Sequence, residues 1–208
     1  MNCKIVSAFN DSHSKLHEVS KKSIKYFCDI SGVSCEFFRI PNDFERPPAW
    51  YKIKVILEAI KKYDGYIVWM DADSVIHNND VSIESYLDKN KFYIVKDFNQ
   101  INTGFFIVKS CEEILDFFEK VWSLDEYTNH IWWEQAAIIH LYKNNYLKCQ
   151  SFTKELDQDI FNSYPMAYYG KEKKAKGCIS EKSFTCHFPS LPLDLRLSLM
   201  KKYSNVSL

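Results

Sequence analysis

The stretch WMDADSVI (residues 69–76) holds the residues whose types and spacing point most directly to chemistry. An apolar run that ends in Asp71 and Asp73 delivers two carboxylates to the carboxyl end of a buried strand. In open α/β sheets that edge is where ligands bind. With one residue between them, both carboxylates can turn toward a single point, and hard oxygen ligands suit Mg²⁺ or Mn²⁺. Such an ion would bridge the two phosphates of a nucleotide-sugar and neutralise charge on the departing diphosphate. Two acidic residues capping a strand-to-loop transition are the plainer reading, and Asp-x-Asp alone arises often by chance.

Asp71 to Val75 also match the strand-ending DxDx[T/V] pattern of haloacid-dehalogenase phosphatases, in which the first Asp is the phosphorylated nucleophile. That chemistry wants a later Lys and a paired acidic motif of the GDxxxD or DD type. The chain has only ELDQD (155–159), without the glycine, and two strands precede the one carrying Asp71. A third class is a non-catalytic module that keeps a sugar-nucleotide fold and binds without turning over, since fold alone does not fix function.

The elements that must position Asp71 and Asp73 are legible in the flanking pattern. CKIVSAF (3–9) is a short apolar, β-rich run of the kind buried in a parallel sheet. Asn10, Asp11 and Ser12 offer caps for a helix with Leu16, Val19, Ile24, Phe27 and Cys28 at helical spacing, ending at Gly32. CEFFRI (35–40) is a second strand. Pro47 and Pro48 open a helix with Trp50, Ile53, Ile56, Leu57 and Ile60 on one face. Asp64-Gly65 breaks it before YIVWM (66–70). Strand, helix, strand, helix, strand argues an α/β fold with a mostly parallel central sheet flanked by helices. Further on, 91–96 and 104–109 are expected as strands, 112–122 and 133–144 as helices, 146–152 and 183–188 as short strands, and 156–177 as mostly loop.

Composition narrows the function classes. The 208 residues are 46% hydrophobic and 16% aromatic, enough for a full core in one domain. Lys+Arg and Asp+Glu both number 27, and this balance argues against a nucleic-acid partner, which calls for a basic excess or stripe. The one basic cluster, Lys171, Lys173, Lys174 and Lys176, lies between Gly170 and Gly177 and is expected to be a solvated surface loop. Seven scattered cysteines are an odd number without a CxxC, expected as thiols in a reducing compartment and not as a disulfide framework. Cys178, Cys186 and His187 fit no zinc ribbon or finger spacing. No run reaches the roughly 18–20 apolar residues of a membrane span, and no signal-peptide apolar region stands at the start. A cytoplasmic protein without a stem or anchor is expected.

Four segments occur in a recognisable order: PAWYKIKVILEAIKKYDGYIVWMDADSVI (48–76), NTGFFIVKS (102–110), IWWEQAAII (131–139) and CHF (186–188). Together they resemble the galactosyl- and mannosyltransferase family that includes fungal Golgi enzymes and plant xyloglucan xylosyltransferases. The resemblance is good over about 48–140, weak for the first strand, and rests on the histidine beyond 150. It implies a single GT-A (Rossmann-like) domain over 1–208, with a nucleotide-sugar-binding half (1–100) and an acceptor half with a metal-completing C-terminal segment (101–208). The activity implied is transfer of a sugar, with retained configuration, from a nucleotide-sugar (a UDP-sugar favoured) to a glycan, glycolipid or glycoprotein acceptor, with Mn²⁺ or Mg²⁺ as cofactor.

Residue by residue, the resemblance implies that Asp71, Asp73 and His187 hold the metal, His187 through an imidazole nitrogen that Mn²⁺ accepts more readily than Mg²⁺. Ala8, Phe9 and Asn10 would seat the nucleotide base, Asp71 and Ala72 would adjoin the donor ribose, and Lys52 would neutralise donor charge. Asn102, Thr103 and Gly104 precede a strand and would meet a sugar, Gly104 allowing close approach to backbone. Glu134 and Gln135 would face the reacting sugar. Trp132 and Trp133 offer faces on which sugar rings stack. An exposed helix Lys52, a turn at 102–104 and a helix-capping Glu134 beside core tryptophans are the plainer alternatives. The family tends to place Gly and Lys soon after the His-Phe pair. Here Pro189, Ser190 and Leu191 follow, so the phosphate-facing cation is open between Arg196 and a lysine of 171–176.

Overall fold

The computed structural model describes residues 2–98, 100–166 and 176–206. The first strand, β1 (Cys3–Phe9), is followed by helix α1 (Ser14–Ser31) and strand β2 (Ser34–Arg39). Asn10 caps the entry with its side chain, accepting from the His13 backbone N–H, and α1 ends where Gly32 takes φ 74°. A 3-10 turn at Pro48–Trp50 leads into α2 (Tyr51–Lys62), then come β3 (Tyr66–Met70) and the three-residue β4 (Ser74–Ile76). Next are β5 (Phe92–Lys96), β6 (Ile101–Lys109), α3 (Glu112–Trp122), α4 (Trp133–Lys143), β7 (Thr153–Leu156), β8 (Thr185–His187) and α5 (Leu193–Tyr203).

Six strands form one sheet in the order β2-β1-β3-β6-β5-β7, and three of its five pairings are parallel. From β1 the chain passes through α1 to β2 on one side, then through α2 to β3 on the other side. Strand order therefore reverses at the carboxyl ends of β1 and β3. Such reversal points open a crevice, because the connections leave the strand ends in opposite directions.

Period-two alternation distributes the core. Ile67 and Trp69 of β3 pack with α2, α3 and α4 around Trp50, Ile53, Phe106 and Phe118. Tyr66, Val68 and Met70 face the other way, onto Ile24 and Phe27 of α1 and onto Phe105, Phe161 and Phe184. Both faces of the sheet are thus covered, which is why β3 reads as an unbroken apolar run.

A second sheet pairs only β4 with β8, antiparallel, with Ser74 opposite His187. This ribbon returns the C-terminal segment to the end of β3. A third cluster, Leu16, Val19, Val75, Cys186, Phe188 and Met200, ties the ribbon to α1 and α5.

Several expectations are corrected. Residues 146–152 are not a strand but a 3-10 segment, with Leu147 and Lys148 at positive φ. The strand expected at 104–109 begins at Ile101, so Asn102, Thr103 and Gly104 belong to it. There the β5 pairing jumps from Ile94↔Phe106 to Val95↔Asn102, so the strand bulges around Thr103 and Gly104. The strand expected at 183–188 is confined to Thr185–His187, and β7 lies at Thr153–Leu156, between the strand expected at 146–152 and the loop expected from 156. Helix α5 was not anticipated: only Met200 on it is buried, so its apolar pattern is weak. All seven cysteines are free. Lys171, Lys173, Lys174 and Gly170 lie outside the described residues; Lys176 is exposed. Among the described residues no helix is long and apolar enough to cross a membrane.

Because Met200 is the one residue of α5 that is fully buried, in the cluster with Phe188 and Val75, Met200→Ala is expected to lower unfolding free energy by about 2–5 kcal/mol. Denaturant unfolding checks this, and an unchanged midpoint would contradict the packing described.

Candidate active site

At the reversal point a cleft of about 560 Å³ opens. Its floor is built by strand ends. Ala8, Phe9 and Asn10 reach it from β1, and Asp71, Ala72 and Asp73 from the turn between β3 and β4. Asn102, Thr103 and Gly104 enter from the bulge of β6, and Trp133, Glu134 and Gln135 from the first turn of α4. Lys52 comes up from α2, and His187 and Arg196 close the side formed by β8 and α5. Every residue expected from sequence to serve the site therefore lines one cleft.

Asp71, Asp73 and His187 offer ligand atoms that all lie within 4.8 Å of one another. Their convergence follows from the ribbon: pairing Ser74 with His187 sets the imidazole beside the residue before Ser74, and the Phe188 N–H donates to the Asp73 carbonyl at 3.1 Å. His187 Nε2 stands 3.3 Å from Asp73 Oδ1 and 4.0 Å from Asp71 Oδ2. Burial alone would raise the Asp73 carboxyl, but His187 and Arg196 beside it hold it well below the usual carboxylate range. Arg196 reaches Asp73 Oδ2 at 3.2 Å while its other nitrogens donate to the Leu191 carbonyl. Two carboxylates and one imidazole are a donor set that fits a divalent metal ion.

Gly104 is required here for a local reason. A Cβ built on it would lie 2.3 Å from His187 Cε1 and 2.5 Å from Nδ1. The close approach to its backbone is thus made by the histidine ring. Gly104 also accepts the Asp71 N–H at 3.0 Å, tying bulge and Asp-x-Asp turn together.

Deeper in the cleft, Lys52 is 4% exposed and Glu134 3%. The Lys52 ammonium donates to Glu134 Oε1 at 2.8 Å and lies 3.1 Å from Asp71 Oδ1. Lys52 is therefore not the exposed helix side chain of the plainer reading. Burial pushes the Glu134 carboxyl up; Lys52 only partly opposes this, and the negative charge of Asp71 adds to the rise. Burial disfavours the charged form of Lys52 too, but the two carboxylates outweigh it and keep the ammonium protonated. Thr103 donates its hydroxyl to Glu134 Oε1 at 3.0 Å, and its N–H to Gln135 Oε1 at 3.1 Å.

Trp133 takes φ 43° at the start of α4, a conformation disfavoured for a bulky residue. It and Trp132 stand 44% and 40% exposed on the cleft wall, so they are not the core tryptophans of the plainer reading.

Asp97, Trp69 and His13 are among the lining residues that escaped sequence reasoning. Asp97 ends β5 just as Asp71 ends β3, and that shared signal of an apolar strand running into Asp could have found it. Its carboxylate accepts from Asn102 Nδ2 and the Tyr164 hydroxyl. Trp69 donates Nε1 to Asp71 Oδ1 at 2.6 Å, and His13 meets Asn10 Oδ1 at 2.9 Å. Nothing in their spacing distinguishes these two from core and capping residues.

Residues 3–91 match the model of the galactosyl transferase GMA12/MNN10 family. An uncharacterised alpha-1,2-galactosyltransferase of Schizosaccharomyces pombe is 26% identical, over 67% of this chain and 51% of the relative. The chain thus spans about half the length of that curated relative. Among solved structures, a glycosyltransferase involved in glycosylation of the major capsid of PBCV-1 superposes with a TM-score of 0.76 at 17% identity, covering 97% of this chain and all of the other. The galactosyltransferase LgtC, in complex with donor and acceptor sugar analogues, gives 0.60 at 12% identity over 99% and 97%. A Drosophila galactosyltransferase bound to manganese, UDP-Gal and xylobiose gives 0.53 at 12% identity over 100% and 76%. At these identities the structural likeness speaks to fold, and neither a phosphatase nor a non-catalytic module is favoured. Sequence and fold agree: the chain has the GT-A fold of these glycosyltransferases and resembles the galactosyl transferase GMA12/MNN10 family across residues 3–91.

Proposed function

We propose that the chain transfers a sugar from a nucleotide-sugar, a UDP-sugar favoured, to a hydroxyl of a glycan, glycolipid or glycoprotein, with a divalent metal and with retention of anomeric configuration. The observation that carries this reading is the convergence of Asp71, Asp73 and His187 within 4.8 Å at the mouth of a cleft at the sheet's reversal point. The manganese and UDP-Gal named with the Drosophila structure support Mn²⁺ and a uridine donor. Residues 1–100 would act as the nucleotide-sugar-binding half and 101–208 as the acceptor half. Seven free thiols support a reducing, cytoplasmic setting.

In this reading Asp71, Asp73 and His187 hold the ion. Bound there, Mn²⁺ would neutralise the diphosphate as it leaves. Ala8, Phe9 and Asn10 would receive the base, and Ala72 would adjoin the ribose. Arg196 is the cation best situated for the phosphates, since Asp73 and the Leu191 carbonyl hold it at the metal-binding edge. Asn102 and Gly104 would line the sugar pocket, with Trp133 as a face for an acceptor ring.

Retention is accommodated by attack on the face from which the diphosphate departs. The bond from the anomeric carbon to the phosphate oxygen breaks and the acceptor oxygen bonds to that carbon. The acceptor's proton passes to the departing phosphate oxygen. Positive charge gathers on the sugar meanwhile, and a carboxylate in a low-dielectric pocket steadies it. Glu134, whose Oε2 is buried and has no partner, suits that role beside Gln135.

Calorimetry with nucleoside diphosphates is expected to show binding at least tenfold tighter with Mn²⁺ than with EDTA. Asp73→Asn should remove that difference, and so should Gly104→Ala by displacing the His187 ring. Equal affinity in EDTA would refute the metal assignment.

NMR of the product's anomeric proton should report the donor's configuration. Glu134→Gln should lower kcat more than tenfold, about 1.4 kcal/mol or greater in the barrier. An inverted product, or an unchanged kcat, would overturn the role given to Glu134.

A further inference from the structure

We propose that Lys52 is a positioning residue that holds Glu134 and Asp71 by one carboxylate oxygen each, and that it is not a contact for the donor's phosphates. The proposal rests on the glycosyltransferase reading above and assigns a role within that site.

An ammonium has three hydrogens to give. Around Lys52 Nζ stand four acceptors: the Thr103 carbonyl at 2.8 Å, Glu134 Oε1 at 2.8 Å, Asp71 Oδ1 at 3.1 Å and the Thr103 hydroxyl at 3.2 Å. The ring of Trp69 lies 5.4 Å away and covers another side. Nothing is left over for a phosphate. Turning to one would strip Glu134, 3% exposed, of its counter-charge, and an uncompensated charge in a buried setting is costly.

The arrangement sorts the oxygens of both carboxylates. Glu134 Oε1 receives Lys52 and the Thr103 hydroxyl, while Oε2 has no partner. Asp71 Oδ1 receives Trp69 Nε1 and faces Lys52, while Oδ2 is the oxygen turned toward His187. One oxygen of each group is therefore anchored, and the other is left for the reacting sugar in one case and the metal in the other. The same ammonium offsets the repulsion between the two carboxylates as they approach the reaction centre.

The test uses four proteins: wild type, Lys52→Met, Glu134→Gln and the double variant. Two quantities are read: calorimetric affinity for nucleoside diphosphate in Mn²⁺, and kcat for release of nucleoside diphosphate from the nucleotide-sugar. Lys52→Met is expected to lower kcat more than tenfold with affinity kept within threefold. Added to Glu134→Gln, it should cost clearly less than it costs alone, because the share of its effect that acts through Glu134 is already lost and only the share through Asp71 remains. Should Lys52→Met fail to fold, Lys52→Arg replaces it in both backgrounds, with the same pattern expected. A tenfold loss of affinity with kcat retained would make Lys52 a phosphate contact and overturn the proposal. So would fully multiplicative losses in the double variant. A wild-type protein that neither binds nucleoside diphosphate in Mn²⁺ nor releases it from any nucleotide-sugar refutes the glycosyltransferase reading itself, and that outcome is recognisable before any variant is made.

Discussion

Asp71, Asp73 and Glu134 are among the carboxylates drawn into one partly dehydrated cleft, and their mutual repulsion is the constraint that the surrounding architecture has to answer. Like charges at short range in a medium of low dielectric destabilise a fold unless cations or hydrogen bonds meet them. The response comes from three parts of the chain. Lys52 rises from α2 between Asp71 and Glu134, Arg196 comes from α5 to Asp73, and His187 stands between the two aspartates. Removing one member of a buried pair typically costs about 3–5 kcal/mol, so the cations serve stability before they serve any reaction.

Each counter-charge fixes something about the fold. Lys52 reaches the site only because α2 packs flat beneath the sheet, with Trp50, Ile53 and Ile56 fully buried on that face. His187 reaches it only because β8 pairs with β4, and its ring fits only because residue 104 has no Cβ. Arg196 depends on α5, which is held by Met200 and the Phe188–Tyr203 ring contact. The bulge of β6 turns Thr103 toward Lys52, Glu134 and Gln135 at once. The crevice itself arises from strand order and not from any one side chain, since β2 and β3 leave β1 on opposite sides.

Much of this was readable beforehand, for definable reasons. Strands β1 and β3 were located to the residue, because a strand buried on both faces is a continuous apolar run with sharp polar ends. Helix α1 is bounded by the Asn10-capped 3-10 turn that leads into it and by Gly32 in the left-handed region. Local signals failed where burial was lopsided or backbone unusual. Helix α5 buries one residue and leaves no periodic stripe. Residues 146–152 carry a strand-like composition but bend through two consecutive positive-φ positions.

The sequence by itself determined the chemistry available: an Asp-x-Asp at a strand end, a late histidine, a Glu-Gln pair beside tryptophans and a lysine four residues past Pro48. Residue type and short-range periodicity are local properties, and the order of these segments was enough to reveal a resemblance. Only the tertiary structure decided which groups face one another. Lys52 pairs with Glu134 across 82 residues, and Arg196 with Asp73 across 123. Contacts at such separation depend on strand order, register and bulge, and no local pattern encodes them. That is why a lysine whose place in the sequence leaves both a donor contact and an exposed helix face open lies buried between two carboxylates in the folded chain.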